Sequence, residues 1–182
     1  MTPFYTGKGD TGQTGFLGSG KLSKSSPRIE AVGSLDEATA ALGFARALSD
    51  SEKVKSILLK VQKQLYLMMS EISAASDVAD QCVNISENDL LWLEKQIDEL
   101  EDAVEMPGEF IIPGESPASS ALAVARTVVR RAERRIVMLF QGGEPFKPIL
   151  IAYLNRLSSL IFVLEVYESS LSGRGIRLAK EE

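Results

Sequence analysis

From Pro27 almost to its end, the chain repeats apolar residues at spacings of three and four, the period of one face of an α-helix. Ser26-Pro27, a cap residue before a proline, opens the first such stretch, with Val32, Leu35, Leu42, Ala45 and Leu48 as its stripe. Ser34-x-x-Glu37 offers a later start by the capping-box pattern. A second stretch runs from about Ser51 to Ala75 through Val54, Ile57, Val61, Leu65, Met68 and Ile72. A third opens at Ser86, with Asp89 in the capping-box position, carries Leu90, Leu93, Ile97 and Leu100, and stops at Met106-Pro107-Gly108. Ser116-Pro117 starts a fourth that Gly142-Gly143 ends. Pro145 and Pro148 precede a fifth, built on Leu150, Leu154, Leu157, Ile161 and Leu164. No strand alternation of useful length and no fixed-period repeat interrupts this pattern. Short connections between successive helices predict an all-α, antiparallel five-helix bundle, and 182 residues suit one domain. It divides into a loop over 1–25, a bundle over about 27–171 and a tail over 173–182.

The loop holds six glycines, from Gly7 to Gly20, with Thr, Ser and Lys between them. Gly7-Lys8-Gly9-Asp10-Thr11-Gly12 matches GxGxxG, but a dinucleotide fingerprint needs a strand before it and a helix after it. Residues 1–6 are too short and mixed for a buried strand. Gly15 to Lys21 imitates a phosphate-binding P-loop, yet Leu22 stands where Ser or Thr should reach magnesium. Two readings remain. Glycine-dense backbone amides beside Lys8, Lys21 and Lys24 suit a phosphate chain, and the same composition suits a solvated tail.

The chain has no histidine. That excludes a Ser-His-Asp triad, a histidine base and the His ligands of di-iron bundles. A single cysteine, Cys82, rules out an internal disulfide and a Cys-rich metal site, so no metal held by protein side chains is expected. Chemistry must then rest on positioning and charge. A net charge of -5 argues against nucleic acid or an anionic membrane as partner. No apolar run approaches the roughly 20 residues of a membrane span. The N-terminus lacks the pattern of a secretion signal, and the cytoplasm is the expected compartment.

The fourth helix carries five arginines in ten residues, Arg126, Arg130, Arg131, Arg134 and Arg135, without a lysine. At about 100° per residue, Arg126, Arg130 and Glu133 share a sector of roughly 60°, and Arg134 lies just beyond. Arg131 and Arg135 point toward the opposite side. The sector borders the apolar stripe Leu122, Ala125, Val129, Ala132, Ile136 and Phe140, where desolvation strengthens charge interactions. Surface faces usually mix lysine with arginine, whereas arginine's planar fork fits carboxylate and phosphate. An anion or nucleotide site is the favoured reading over a solvated basic face. Asp36, at the margin of the first helix's stripe, is expected to pair with Arg126.

These segments resemble the PduO-type ATP:cob(I)alamin adenosyltransferases. Tyr5 to Thr14 resembles the family's Y-T-x-x-G-D-x-G-x-T, with Lys24 as its downstream basic residue. Ala31 to Glu37 resembles A-x-G-x-x-D-E, Phe110 to Gly114 resembles F-I-L-P-G, Ala125 to Arg134 resembles A-R-x-x-x-R-R-A-E-R, and Leu154 to Ser158 resembles L-N-R-L-S. The blocks stand in family order across residues 5 to 165. Ala123, Glu115 and Ser159 depart from the pattern, where many members have His, Gly and Asp.

The resemblance implies a homotrimer with active sites between subunits. ATP, with magnesium bridging its phosphates, would meet Thr6, Gly7, Lys8, Gly9, Thr14, Gly15, Lys24, Arg130, Arg131, Glu133, Arg134 and Asn155. Arg130, Arg126, Asp36, Glu133 and Phe110 are the candidates for the chemistry itself, in which cobalt(I) of the corrinoid attacks the ribose 5′ carbon and expels triphosphate. Phe110 is either a plug for the bundle end or, by the resemblance, the cover over the lower face of the corrin. A reductase would supply the electron. A nucleotide- or corrinoid-binding sensor without transfer and a purely structural helical oligomer are the alternatives.

Overall fold

The computed structural model describes residues 5, 7–75, 77–145 and 147–180. Five helices dominate: α1 (Pro27–Leu48), α2 (Glu52–Ser73), α3 (Glu87–Glu101), α4 (Pro117–Gln141) and α5 (Pro148–Leu171). Two small antiparallel ribbons accompany them, β1 (Gln13–Gly15) with β2 (Lys21–Ser23), and β3 (Ile111–Ile112) with β4 (Arg177–Leu178).

The starts of these helices are written in their caps. The Ser26 hydroxyl accepts from the Ile29 amide, and Pro27 takes the first turn, where its missing N–H costs nothing. Ser51 caps α2 through the Val54 amide. Ser116 and Ser119 exchange backbone-to-hydroxyl bonds at α4, each at 3.1 Å. The later α1 start at Ser34 is not used. That hydroxyl bonds back to the Glu30 carbonyl inside the helix. α3 ends at Glu101, short of the proline-glycine stop expected from sequence. Glu99, Glu101 and Asp102 crowd negative charge onto its carbonyl end, where the helix dipole opposes it.

α1, α3 and α5 run one way, and α2 and α4 run the other. Glu30–Arg135 at 3.2 Å and the Glu37–Arg131 pair fix the antiparallel register of α1 on α4. α4 packs on both α1 and α5, so its flanks face different neighbours. By length and composition α5 could cross a membrane, contrary to the reading of the apolar runs. Its apolar surface lies inside the bundle, with Leu150, Leu154, Leu157, Leu160 and Ile161 fully buried.

One polar chain crosses the core. Buried Tyr153 donates to Gln64 Oε1 at 2.8 Å, and Gln64 Nε2 donates to Asp89 Oδ1 at 2.8 Å. Asp89 also accepts from the Ser86 amide and hydroxyl. Burial works to raise the Asp89 pKa, but these hydrogen bonds outweigh it and hold the carboxyl below its usual value of 3.8. A depressed folded-state pKa gives stability present above the unfolded value and lost as pH falls through the folded one. Asp89→Asn should therefore cost about 1–2 kcal/mol at neutral pH. The deficit against the parent should shrink below pH 3.8. Urea titrations at the two pH values check this, and a pH-independent deficit would contradict it.

Candidate functional site

The glycine segment is partly ordered as a ribbon, which the irregular loop read from sequence did not foresee. Gln13 pairs with Ser23, Thr14 with Leu22 and Gly15 with Lys21. Gly7 and Gly12 adopt φ of 65° and 78°, the left-handed region that disfavours a side chain. Around them Asp10 N bonds to Gly7 O, and Gly12 N bonds to Gly9 O. The Lys24 amide closes the segment on the Gly12 carbonyl at 2.9 Å. The Lys24 ammonium lies over Gly9, where an added Cβ would meet Nζ at 3.1 Å. Thr14 donates its hydroxyl to the Gly15 carbonyl. Gly7, Gly9 and Lys24 thus form a compact basic turn beside Thr14 and Gly15. The would-be P-loop is the turn between β1 and β2, with no helix leaving it. Thr6 lies outside the described residues.

This ribbon is fixed to the end of α2. The Leu17 amide bonds to the Ser73 carbonyl, and Ala75 returns a bond to Leu17 O at 2.7 Å. Ser19 donates to Asp77 at 2.8 Å.

A separate groove of about 660 Å3 runs along the second half of α4, lined by Arg130, Arg131, Glu133, Arg134, Arg135, Val137, Met138 and Asn155. The structure thus gathers Arg130, Arg131, Glu133, Arg134 and Asn155, as expected. Gly7, Lys8, Gly9, Thr14, Gly15 and Lys24 are not among its lining residues. Arg131 and Arg135 do lean toward α1, where Glu37 and Glu30 pair with them, yet they still border the groove. Arg134 donates to the Arg130 carbonyl at 3.1 Å. Neither Arg130 nor Arg134 makes an ion pair among the described residues, and Glu133 is the one carboxylate lining the groove, so its lining is net positive.

Asn155 is oriented by a chain that sequence reasoning missed. Its amide donates to Glu133 at 3.4 Å, and its carbonyl accepts from Arg156 at 3.1 Å. Arg156 in turn pairs with Glu94 of α3 at 3.0 Å. The signal was present in Leu154-Asn155-Arg156, whose arginine was read only as part of a motif.

A third site opens farther along the same α4–α5 face, a groove of about 570 Å3 that includes Phe110, Ile111, Arg126, Phe162, Ala179 and Lys180. Phe110 is 87% exposed, which excludes the plug reading within this chain. Its loop is framed by the tail that the sequence left unassigned. The Ala179 amide bonds to the Phe110 carbonyl at 2.8 Å, and Ile111 pairs with Leu178. Arg126 and Phe162 lie seven residues from Glu133 and Asn155 on their respective helices. Seven residues span about 10 Å of helix, so the anionic and apolar sites are successive stretches of one face.

The expected Asp36–Arg126 pair is not formed. Arg126 faces α5, where its Nε lies 3.7 Å from Glu165 Oε2 and its guanidinium 5.7 Å from the Phe162 ring centre. Asp36 is exposed on α1 with no ion pair among the described residues. The reason is angular. The flank of α4 toward α1 is carried by Arg131 and Arg135, and Arg126 sits about 140° around the helix from Arg131. Glu165 is the residue that sequence reasoning missed here. Burial raises its pKa, against the lowering pull of Arg126.

Comparisons with known proteins give the family. Residues 4–168 match the family described as cobalamin adenosyltransferase. The chain is 36% identical over 167 residues to the corrinoid adenosyltransferase PduO of Salmonella typhimurium, covering 91% of this chain but 49% of that protein. It thus spans about half the length of that relative. Against the corrinoid adenosyltransferase of Bacillus subtilis it is 36% identical over 175 residues, covering 94% of this chain and 89% of the other. Among solved structures, a variant PduO-type ATP:corrinoid adenosyltransferase from Lactobacillus reuteri, complexed with cobalamin and ATP, superposes with a TM-score of 0.91. It is 31% identical, over 98% of this chain and 100% of that one. A second variant of that enzyme, complexed with ATP, gives 0.89 at 32% identity, over 97% of this chain and 100% of that one. On sequence and on fold alike, the chain belongs to the cobalamin adenosyltransferase family.

Proposed function

We propose that this chain transfers the 5′-deoxyadenosyl group of ATP to the cobalt of a cob(I)alamin-type corrinoid and releases triphosphate. The observation that carries the reading is one α4–α5 face with two unlike stretches. One presents Arg130 and Arg134, which make no ion pair among the described residues, and the other an exposed Phe110 beside Phe162. A polyanion suits the first, and a broad macrocycle suits the second. The complexes of the Lactobacillus reuteri enzyme with both molecules support the same assignment.

The chemistry is a displacement. The cobalt(I) electron pair attacks the ribose 5′ carbon, the C5′–O bond breaks, and triphosphate leaves with its charge increased. No proton moves, so no histidine is needed. Aligned groups and stabilisation of the departing charge carry the rate. Arg130 and Arg134 would hold the leaving triphosphate, while Glu133 and Asn155, joined by one hydrogen bond, would set the nucleoside. Magnesium would arrive with ATP as part of the substrate, because the groove offers only Glu133 as an anionic ligand. A reductase would supply the electron for cobalt, in the cytoplasm. Formation of adenosylcobalamin from ATP, cob(II)alamin and a reductant tests the reading. Tight ligand binding without turnover would instead indicate a sensor.

The glycine ribbon does not border its own chain's arginine groove, which supports a site completed by a second copy in a homotrimer. Mixed oligomers of Arg130→Ala and Lys24→Ala chains should then regain activity. Each parent spoils one side of the site, and random mixing leaves about a quarter of sites with both sides intact. Mixed oligomers no more active than the parents would put the whole site in one chain.

A further inference from the structure

Beneath the Phe110 groove lies a carboxylate without an obvious structural task. Glu165 is 1% exposed, in the C-terminal third of the most apolar helix. Its Oε2 and the facing Arg126 Nε are both buried and have no hydrogen-bond partner, since 3.7 Å between them makes an ion contact only. A buried pair of this kind adds little to stability over apolar residues of similar size, so packing does not account for it. Its effect on the groove is electrical. Arg126 lines the groove, and Glu165 cancels its charge from below. The other charges on the rim cancel too, since Lys180 lies 3.6 Å from Glu109. The arginine groove differs, because Arg130 and Arg134 there make no ion pair among the described residues and Glu133 is the one carboxylate in the lining.

We infer that Glu165 is a specificity-determining residue acting through Arg126. By holding and neutralising that guanidinium, it fits the groove to a corrinoid whose rim carries uncharged amides and sets it against one whose rim carries free carboxylates. The inference rests on the corrinoid reading of this groove. Arg126 keeps its outer N–H groups for amide carbonyls, while its net attraction for an anion is offset at 3.7 Å.

The test is adenosylation of two pre-reduced corrinoids, fully amidated cob(I)inamide and carboxylate-bearing cob(I)yrinic acid, by the parent and by Glu165→Gln. The parent should favour the amidated substrate. The variant should lower KM for the carboxylated one relative to the amidated one by on the order of tenfold, with kcat and the KM for ATP little changed. In an Arg126→Ala background the same substitution should leave the ratio unmoved. A merely structural Glu165 would alter stability without moving that ratio. Glu165→Leu removes the same charge with a side chain suited to the interior, so a folding defect in one variant leaves the other to be read. If the parent adenosylates neither corrinoid, the transfer reading falls and this inference with it. If it adenosylates both, and the KM ratio of the variant stays within about twofold of the parent's, Glu165 does not set the selectivity.

Discussion

Replacing Arg130 with alanine should reduce turnover by on the order of 10²–10³ while leaving the fold intact, the usual cost of deleting one donor aimed at developing charge. Arg130 is exposed and lines the α4 groove. What it gives to the fold is its backbone carbonyl, which accepts from Arg134 and survives the substitution. Alanine is the best helix former, so α4 should persist. Glu37 and Glu30 already engage Arg131 and Arg135, so those two cannot fully take over the phosphate charge. Arg130→Lys should fall between, because it keeps the charge but loses the planar fork. Single-turnover rates with pre-reduced cob(I)alamin, beside helix content and thermal midpoint, are the measurements. Near-normal turnover in a well-folded variant would falsify the role given to Arg130.

The helices were legible because their instructions are local. Ser26-Pro27, Ser51, Ser86 with Asp89, and Ser116-Pro117 each act within one turn of the helix they start. The Arg130–Glu133–Arg134 sector was legible for the same reason, since the helical period alone gathers it. What failed was knowing which neighbour each flank of α4 meets. Asp36 and Arg126 both border apolar stripes, yet one is exposed on α1 and the other faces α5. Periodicity gives an angle on one helix and says nothing about which helix packs against it.

The ribbons were hidden by their length. Two or three residues cannot show alternation, and β3 finds β4 more than sixty positions away. The third groove therefore had only Phe110 as its sequence signal, while the tail that frames it looked like an unassigned end. Glu165 was visible as a carboxylate inside the apolar run Leu160–Val166. Nothing in that run says which cation it would meet.

Phe110→Ala should keep ATP binding and lose most turnover that begins from cob(II)alamin. Phe110 is 87% exposed, so removing its ring should change stability by no more than about 0.5 kcal/mol. An aromatic ring held in water by its backbone, through Ala179 N and the pairing of Ile111 with Leu178, has its burial still to gain. Covering it with a corrin face would release about 2–3 kcal/mol. That gain can be set against the axial ligand on the lower face of the cobalt. Once that ligand is displaced, cobalt(II) is four-coordinate and easier to reduce, because the incoming electron no longer opposes axial donation. Alanine removes both the apolar area and the steric pressure, so the ligand should stay bound. Pre-reduced cob(I)alamin bypasses this step, and activity with it should suffer less. Electron paramagnetic resonance of bound cob(II)alamin reads the difference directly. The four-coordinate signal should be present in the parent with ATP bound and absent from the variant. An unchanged signal in the variant would leave the exposed ring without a part in activating the metal.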